Sequence, residues 1–269
     1  MTTSAPVPAL DRDMIARLRA DIIASSWTTD TLDELLSDGA LSALMRDSRL
    51  PALVELAGVD APAATLTRFF IGGQPERASA LDAALPTLGA AGLETLGLAA
   101  TIDEDEAASA LVMPRPCSKS APKRERAQAG EGEEASFPTA PALPTMRDPD
   151  EEPEPEVVAD PWMRALYDLR PHAAVLPGGE HEWWVTSDLG EGQTGKPLAD
   201  HHVMGIGGAT RTLLEMTVRD QVDSALDVGC GCGIQALYLA THARRVVATD
   251  LSPRACALTC ATASTTSGW

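Results

Sequence analysis

Three glycines and two aspartates in the C-terminal third of the sequence have the residue types and spacing of a cofactor site. An apolar strand pattern leads into Asp227, and the alternating glycines Gly229, Gly231 and Gly233 follow it. A helical pattern then leads to a second apolar strand that ends in Asp250, 23 residues after Asp227. This order of strand, glycine loop, helix and strand predicts the first βαβ unit of a Rossmann-like domain.

The chemistry of these residues narrows the class of ligand. Glycines let the chain turn sharply off the strand, let a ligand approach the backbone, and let the helix pack closely. Asp250 is suited to accept hydrogen bonds from a ribose diol. Ile234 occupies the third small position of the dinucleotide fingerprint, and Asp227 would repel a pyrophosphate while suiting an ammonium or sulfonium group. The pattern favours S-adenosylmethionine (SAM), with an NAD-type ligand as the alternative.

A second glycine cluster precedes the first cofactor strand by about 20 residues and comprises Gly205, Gly207 and Gly208. It stands just before a helical pattern, where backbone N–H groups are free to meet a polar ligand. A simple glycine turn is the alternative interpretation. Its position before the cofactor strand favours a binding role.

Two metal sites can be drawn from the sequence, and neither is favoured. Cys230 and Cys232 fall inside the glycine loop, while Cys256 and Cys260 fall one turn apart on a predicted helix. Small buried thiols explain them better than a four-thiolate zinc site. His201–His202 lacks a third ligand at a sensible spacing. We therefore predict no metal.

The whole pattern resembles a known enzyme family. Asp227-x-Gly229-x-Gly231-x-Gly233 with Asp250-Leu-Ser-Pro253 is similar to motifs one and two of the class I SAM-dependent methyltransferases. Val203-Met-Gly-Ile-Gly-Gly-Ala209 is similar to actinobacterial proteins with a "methyltransferase small domain". These are relatives of the release-factor glutamine methyltransferases and of guanine-N2 ribosomal RNA methyltransferases. The resemblance implies an α/β fold, SAM as the cofactor, and a protein or RNA substrate methylated on nitrogen.

Roles for single residues follow from the resemblance alone. The loop glycines would shape the pocket for the methionine and ribose moieties. Asp227 would hold the methionine ammonium, Asp250 the ribose hydroxyls, and Leu251 would lie against adenine. Methyl transfer is then an in-line displacement at the sulfonium, to which the enzyme contributes proximity and orientation.

One departure from the family limits this expectation. The Asn/Asp-Pro-Pro-aromatic motif that binds the acceptor nitrogen is absent from the sequence, so no catalytic residue is named. The chain ends 19 residues after Asp250, and the stretch 261–269 loses helical periodicity. We expect a C-terminally truncated methyltransferase whose incomplete sheet exposes an edge and an apolar face. The alternative is a SAM-binding or interaction protein without activity.

The elements that must position this site divide the chain into four parts. Residues 1–112 read as helices, the first at 11–24 capped by Asp11, and resemble winged-helix modules; a plain helical bundle is the alternative. Residues 113–161 hold 10 of the 20 prolines and predict a disordered acidic linker. Residues 162–199 predict a hairpin or wing, and residues 200–269 the cofactor half.

Within the hairpin, strands are predicted at 164–170 and 182–189, with turn residues at 177–179. Trp183 and Trp184 are adjacent and would point to opposite faces of their strand. We expect one of them in the core and the other buried against the next domain.

Composition sets outer bounds on function. The net charge is −18, which argues against a broad nucleic-acid-binding face, although half of that charge lies between residues 103 and 160. Five cysteines make no disulfide framework. A signal-peptide pattern and a membrane-length apolar run are both absent from the sequence, so we expect a cytoplasmic protein that does not enter membranes.

Overall fold

The computed structural model describes residues 6–111 and 159–266. The predicted linker, 113–161, lies outside the described residues except for its last three. Asp11 caps the first helix as predicted, because its Oδ1 accepts hydrogen bonds from the amides of Asp13 and Met14 at 3.0 Å. The first part of the chain forms helices α1 to α8 and one π-helical turn, at Arg12–Ala24, Thr29–Leu35, Asp38–Leu44, Leu50–Glu55, Pro62–Leu66, Thr67–Ile71 (π), Ala78–Ala84, Gly89–Thr95 and Glu104–Ala110.

A small antiparallel sheet interrupts the expected all-helical pattern. Its strands are β1 (Glu76–Arg77), β2 (Ala99–Ile102) and β3 (Trp162–Ala165), in the order β1-β3-β2. The predicted single strand at 164–170 is wrong, because a bend at Leu166 interrupts it. The residues before the bend belong to this sheet, and the residues after it belong to the next one. Local patterns miss the sheet because its central strand comes from the far side of the linker.

The hairpin itself is confirmed and is longer than predicted. Strands β4 (Tyr167–Leu176) and β5 (Gly179–Asp188) pair along their whole length. Trp183 and Trp184 are both buried, as expected. The indole of Trp184 donates to the Trp27 carbonyl at 2.9 Å in the N-terminal core, whereas Trp183 packs edge-on against Tyr238 at 5.0 Å in the following part of the chain.

The C-terminal part contains the predicted βαβ unit. After a short helix, α9 (Glu191–Thr194), come α10 (Gly208–Met216), β6 (Ala225–Val228), α11 (Ile234–Ala240), β7 (Val246–Thr249) and α12 (Pro253–Thr265). The two strands are parallel, with Ala225 opposite Val246 and Val228 opposite Thr249. The crossover helix between them completes the unit.

Helix α12 runs to Thr265, so the expected loss of helix after residue 260 is wrong. Tertiary hydrogen bonds to the hairpin explain the difference. The Thr186 amide donates to Thr262 Oγ1, and Thr265 Oγ1 donates to the Trp184 carbonyl, both at 3.0 Å. Threonine is a weak helix former by itself, and these contacts compensate for that.

A continuous apolar core links the two parts of the chain. It begins on α1, passes through the π-helical turn and the hairpin, and ends on α11 and α12. The N-terminal helices and the βαβ unit therefore share one hydrophobic core. Representative core residues along this path are Leu18, Trp27, Phe69, Phe70, Leu93, Tyr167, Trp183, Ile234, Leu237 and Leu258.

In the part of the chain that the structure describes, one face of the parallel sheet is exposed. Leu226, Val228 and Val247 lie on it, with exposed fractions of 60%, 77% and 39%. Parallel sheets are normally covered on both faces, so this apolar face is unusual. Among the described residues, no helix has the length and apolar character needed to cross a bilayer.

Candidate functional site

A cavity of about 440 Å³ opens where the parallel strands end. Four segments line it: residues 200–205, helix α10 through Ala209, Thr210 and Leu213, residues 227–235 at the end of β6 and in the glycine loop, and residues 250–255 after β7. The volume falls in the range of small-molecule sites, and the carboxyl ends of parallel strands are where α/β folds bind ligands.

The three glycines of the loop have different surroundings. Gly229, Gly231 and Gly233 have φ values of +82°, +55° and +86°, which side chains rarely tolerate. A Cβ on Gly233 would come within 3.0 Å of the Thr259 Cα, so this glycine allows α11 to pack against α12. Gly229 and Gly231 face open space and line the cavity, so they leave room for a ligand.

Asp227 is the most unusual group in the site. Its side chain lines the cavity, yet the residue is only 8% exposed. Within the described part of the chain, its Oδ2 has no hydrogen-bond partner. Burial raises the pKa of this carboxyl above its ordinary value, and the charge on Asp250 adds to the rise. A buried carboxylate oxygen without a partner is costly, and a cationic ligand group would remove that cost.

Asp250 is held by the backbone in its ionised form. Its Oδ1 accepts from the Ser252 amide at 2.8 Å, and its Oδ2 accepts from the Gly231 amide at 3.0 Å. These two hydrogen bonds lower the pKa of the carboxyl. Each oxygen keeps a second lone pair, so Asp250 can close the glycine loop and still accept from a ligand hydroxyl.

The other predicted site residues divide into two groups. Gly205 lines the cavity, close to the hydroxyl of Ser187. Gly207 and Gly208 lie at the start of α10, outside the cavity lining. Leu251 is fully exposed beside the cavity and does not line it. The roles of these residues toward a ligand stay predictions.

Sequence reasoning missed part of the wall. The sequence favours a plain loop pair for His201 and His202 over metal ligands and predicts no place in the site for them, yet both line the cavity. Gln235 also lines it and donates from Nε2 to the Thr210 carbonyl at 3.1 Å, which ties α11 to α10. The closeness of the histidines to Gly205 was the only sequence signal for their position.

Two of the cysteines, Cys230 and Cys232, line the cavity. Cys230 and Cys232 are buried in the glycine loop, and burial raises the pKa of both thiols. Cys256 is half-buried and Cys260 is exposed on α12. In the ranges 6–111 and 159–266, no group of three or more His, Cys, Asp or Glu side chains is placed to hold a metal ion.

Comparison with known families gives two matches. Residues 24–110 match a family described as a domain of unknown function, DUF7059. Residues 226–266 match a family described as a methyltransferase domain, and this match spans β6, the glycine loop, α11, β7 and α12. No curated protein matches the chain. The second match supports a methyltransferase, and the mixed helix and strand content fits an α/β fold that contains such a domain.

Proposed function

We propose that the protein is a class I SAM-dependent methyltransferase whose residues 200–269 form the cofactor half of a Rossmann-like domain. The observation that carries this proposal is the buried Asp227 carboxylate, with Oδ2 unpartnered among the described residues, at the wall of a 440 Å³ cavity. SAM brings an ammonium and a sulfonium to such a site. A dinucleotide would bring a pyrophosphate, which Asp227 would repel.

The proposed pose assigns one part of the cofactor to each wall. The methionine ammonium lies on Asp227, and the methionine and ribose run over Gly229 and Gly231. The ribose hydroxyls reach Asp250, and adenine covers Leu251, whose complete exposure would then have a use. Backbone N–H groups of Gly205 and its neighbouring glycines would meet polar groups of the ligand.

We propose a nitrogen of a protein glutamine or of an RNA base as the methyl acceptor, by the resemblance to release-factor and ribosomal RNA methyltransferases. The apolar face formed by Leu226, Val228 and Val247 supports an incomplete domain, because further strands and helices would cover it. The β1-β3-β2 sheet beside short helices supports the winged-helix interpretation of the first part, with β4 and β5 as its wing.

A second candidate is a SAM-binding interaction protein without transferase activity. The observation that favours it is the exposed apolar face formed by Leu226, Val228 and Val247, because an exposed apolar surface can contact a partner protein. Both candidates bind the cofactor. They differ in whether labelled methyl groups from SAM reach any protein or RNA.

Calorimetric titration of the full chain with S-adenosylhomocysteine and, separately, with NADH tests the shared cofactor claim. We expect S-adenosylhomocysteine to bind with one site per chain and NADH to produce no binding heat. Binding of NADH alone would replace the methyltransferase proposal with a dehydrogenase-type site. Incubation with radiolabelled SAM and a cell extract depleted of small molecules then separates the enzyme from the binding protein.

A further inference from the structure

Asp188, the last residue of β5, joins the hairpin to the first wall of the cavity. Its Oδ2 accepts a hydrogen bond from the Val203 amide at 2.9 Å, and its own amide donates to the Val203 carbonyl at 3.0 Å. Val203 lies in the segment 200–205 that lines the cavity. This pair of hydrogen bonds fixes the position of that segment along the strand.

The same carboxylate also holds a second lining segment, residues 250–255, through Arg254. The Nε of Arg254 donates to Oδ1 and Oδ2 of Asp188 at 3.1 and 3.0 Å, and its Nη2 also donates to Oδ1. Arg254 Nη2 donates further to the Tyr167 hydroxyl at 3.1 Å. The side chains of Arg254 and Asp188 are only 10% and 12% exposed, so water competes little with this pair.

Arg254 stands in the first turn of α12, between two residues that line the cavity, Ser252 and Ala255. Val203 stands in another segment that lines the cavity, residues 200–205. A single carboxylate therefore bonds to two lining segments, although its own side chain is outside the cavity lining. The position of these two segments relative to each other depends on this junction.

We propose that Asp188 is a positioning residue that preserves the shape of the cofactor cavity by joining residues 200–205 to the start of α12. The identity of the ligand rests on the proposed function, whereas the hydrogen bonds that Asp188 forms with Val203 and Arg254 do not. A preorganised cavity binds its ligand without first ordering its walls. Loss of these hydrogen bonds lets the segments move independently and weakens binding without removing any group that touches the ligand.

A second ion pair provides a matched control. The Nε of Arg68 lies 2.6 Å from the Oε1 of Glu76. The two side chains are 16% and 14% exposed, which is close to the exposed fractions of Arg254 and Asp188. Arg68 also donates to the carbonyls of Leu56 and Val59. This pair joins elements of the N-terminal part and does not line the cavity. A merely structural role for Asp188 predicts that the two pairs behave alike.

The test compares Asp188→Asn with Glu76→Gln in the full chain by hydrogen exchange and by titration with S-adenosylhomocysteine. Asparagine keeps an acceptor for the Val203 amide but removes the charge opposite Arg254. We expect Asp188→Asn to increase exchange at 200–205 and at 250–255 and to weaken binding at least tenfold. Glu76→Gln is expected to lower the melting temperature while changing neither readout.

Three results would overturn the positioning role of Asp188. Hydrogen exchange in Asp188→Asn could stay unchanged in both segments, or it could rise uniformly throughout the chain. The affinity for S-adenosylhomocysteine could also stay unchanged although exchange in the two segments increases. If the parent protein binds no S-adenosylhomocysteine, the proposed function fails, and the exchange pattern alone decides about Asp188. Should Asp188→Asn not fold, Arg254→Lys keeps the charge but loses the two-pronged geometry. It is expected to show the same two-segment pattern at smaller amplitude, and no change there contradicts the proposal.

Discussion

Buried aspartates behave differently in the N-terminal part and in the cofactor part. Asp21 is 1% exposed, and its carboxylate accepts hydrogen bonds from the amide and hydroxyl of Thr87 and from the Leu88 amide. Asp168 is equally buried and is held by an arginine and a glutamine. Asp227 keeps one oxygen unpartnered within the described residues. The first two acids stabilise the fold, whereas the function proposed above gives the third a ligand group as its partner.

Apolar side chains show the same contrast between the two parts. The largest fully buried side chains of the described residues all lie before residue 111 or in the hairpin. Both parts also expose large apolar side chains, but the cofactor part exposes more of them in a shorter stretch of chain. The exposed large apolar residues of 200–266 are Met204, Leu213, Met216, Val218, Val222, Leu226, Val228, Val247 and Leu251.

The largest expected difference is in the free energy of unfolding, between a variant of a buried apolar residue and a variant of an exposed one. Phe69 is fully buried and packs edge-on against Phe70 at 4.9 Å, so Phe69→Ala should cost about 4 kcal/mol of unfolding free energy. Leu226→Ser on the uncovered face should change it by less than about 0.5 kcal/mol. Urea unfolding of both variants measures the difference. A loss of about 2 kcal/mol or more in Leu226→Ser would mean that this face is covered in solution.

A pair of glycines sharpens the comparison at the backbone. Gly58 and Gly233 have φ values of +76° and +86°, but only Gly233 has neighbours within 4 Å of an added Cβ. Gly58→Ala should cost about 1 kcal/mol from backbone strain alone. Gly233→Ala adds the contact with Thr259 and should cost roughly 2 to 3 kcal/mol. Equal losses in thermal unfolding would contradict the close packing of α11 on α12.

The junction between the two parts should respond to pH through His172. Its Nε2 lies 2.9 Å from the Tyr238 hydroxyl of α11, and burial, together with the charge on Arg211, lowers its pKa to about 4. Because the unfolded chain binds this proton near pH 6.5, stability is full above that pH and is lost as the pH falls toward 4.

The resulting loss is about 2 kcal/mol by pH 5 at most. His172→Gln should remove this part of the pH dependence of unfolding, while the same change at the exposed His201 should leave it in place. Persistence of the full slope in His172→Gln would assign it to other groups.

Residues in the immediate neighbourhood of the glycine loop were predictable from the sequence. The positions of Asp227, Gly229, Gly231 and Asp250 at one cavity follow from strand ends and turn geometry, both of which are local. The helix after Gly233 and the cap at Asp11 are local for the same reason. Short-range rules are enough where the chain itself brings the groups together.

Long-range pairings were not predictable in this way. Trp162–Ala165 joins strands from the other side of the linker, and no pattern within its four residues names that partner. The extension of α12 to Thr265 depends on hydrogen bonds from β5. Asp188 and Arg254 are 66 residues apart. Each of these features exists only after segments that are distant in the sequence have packed together.

The central claim, that Asp227 is kept for a cationic ligand group, is tested most directly by Asp227→Asn beside Asp21→Asn. Each variant is titrated with S-adenosylhomocysteine and is unfolded by heat at pH 7. Because burial raises the pKa of Asp227, its ionised form lowers the stability of the unliganded protein at this pH.

Asp227→Asn should therefore keep or raise the melting temperature while it weakens binding by about 3 kcal/mol, roughly 100-fold. Asp21→Asn should lower the melting temperature and leave the affinity unchanged. Parental affinity in Asp227→Asn, or a melting temperature that falls as far as that of Asp21→Asn, would contradict the claim.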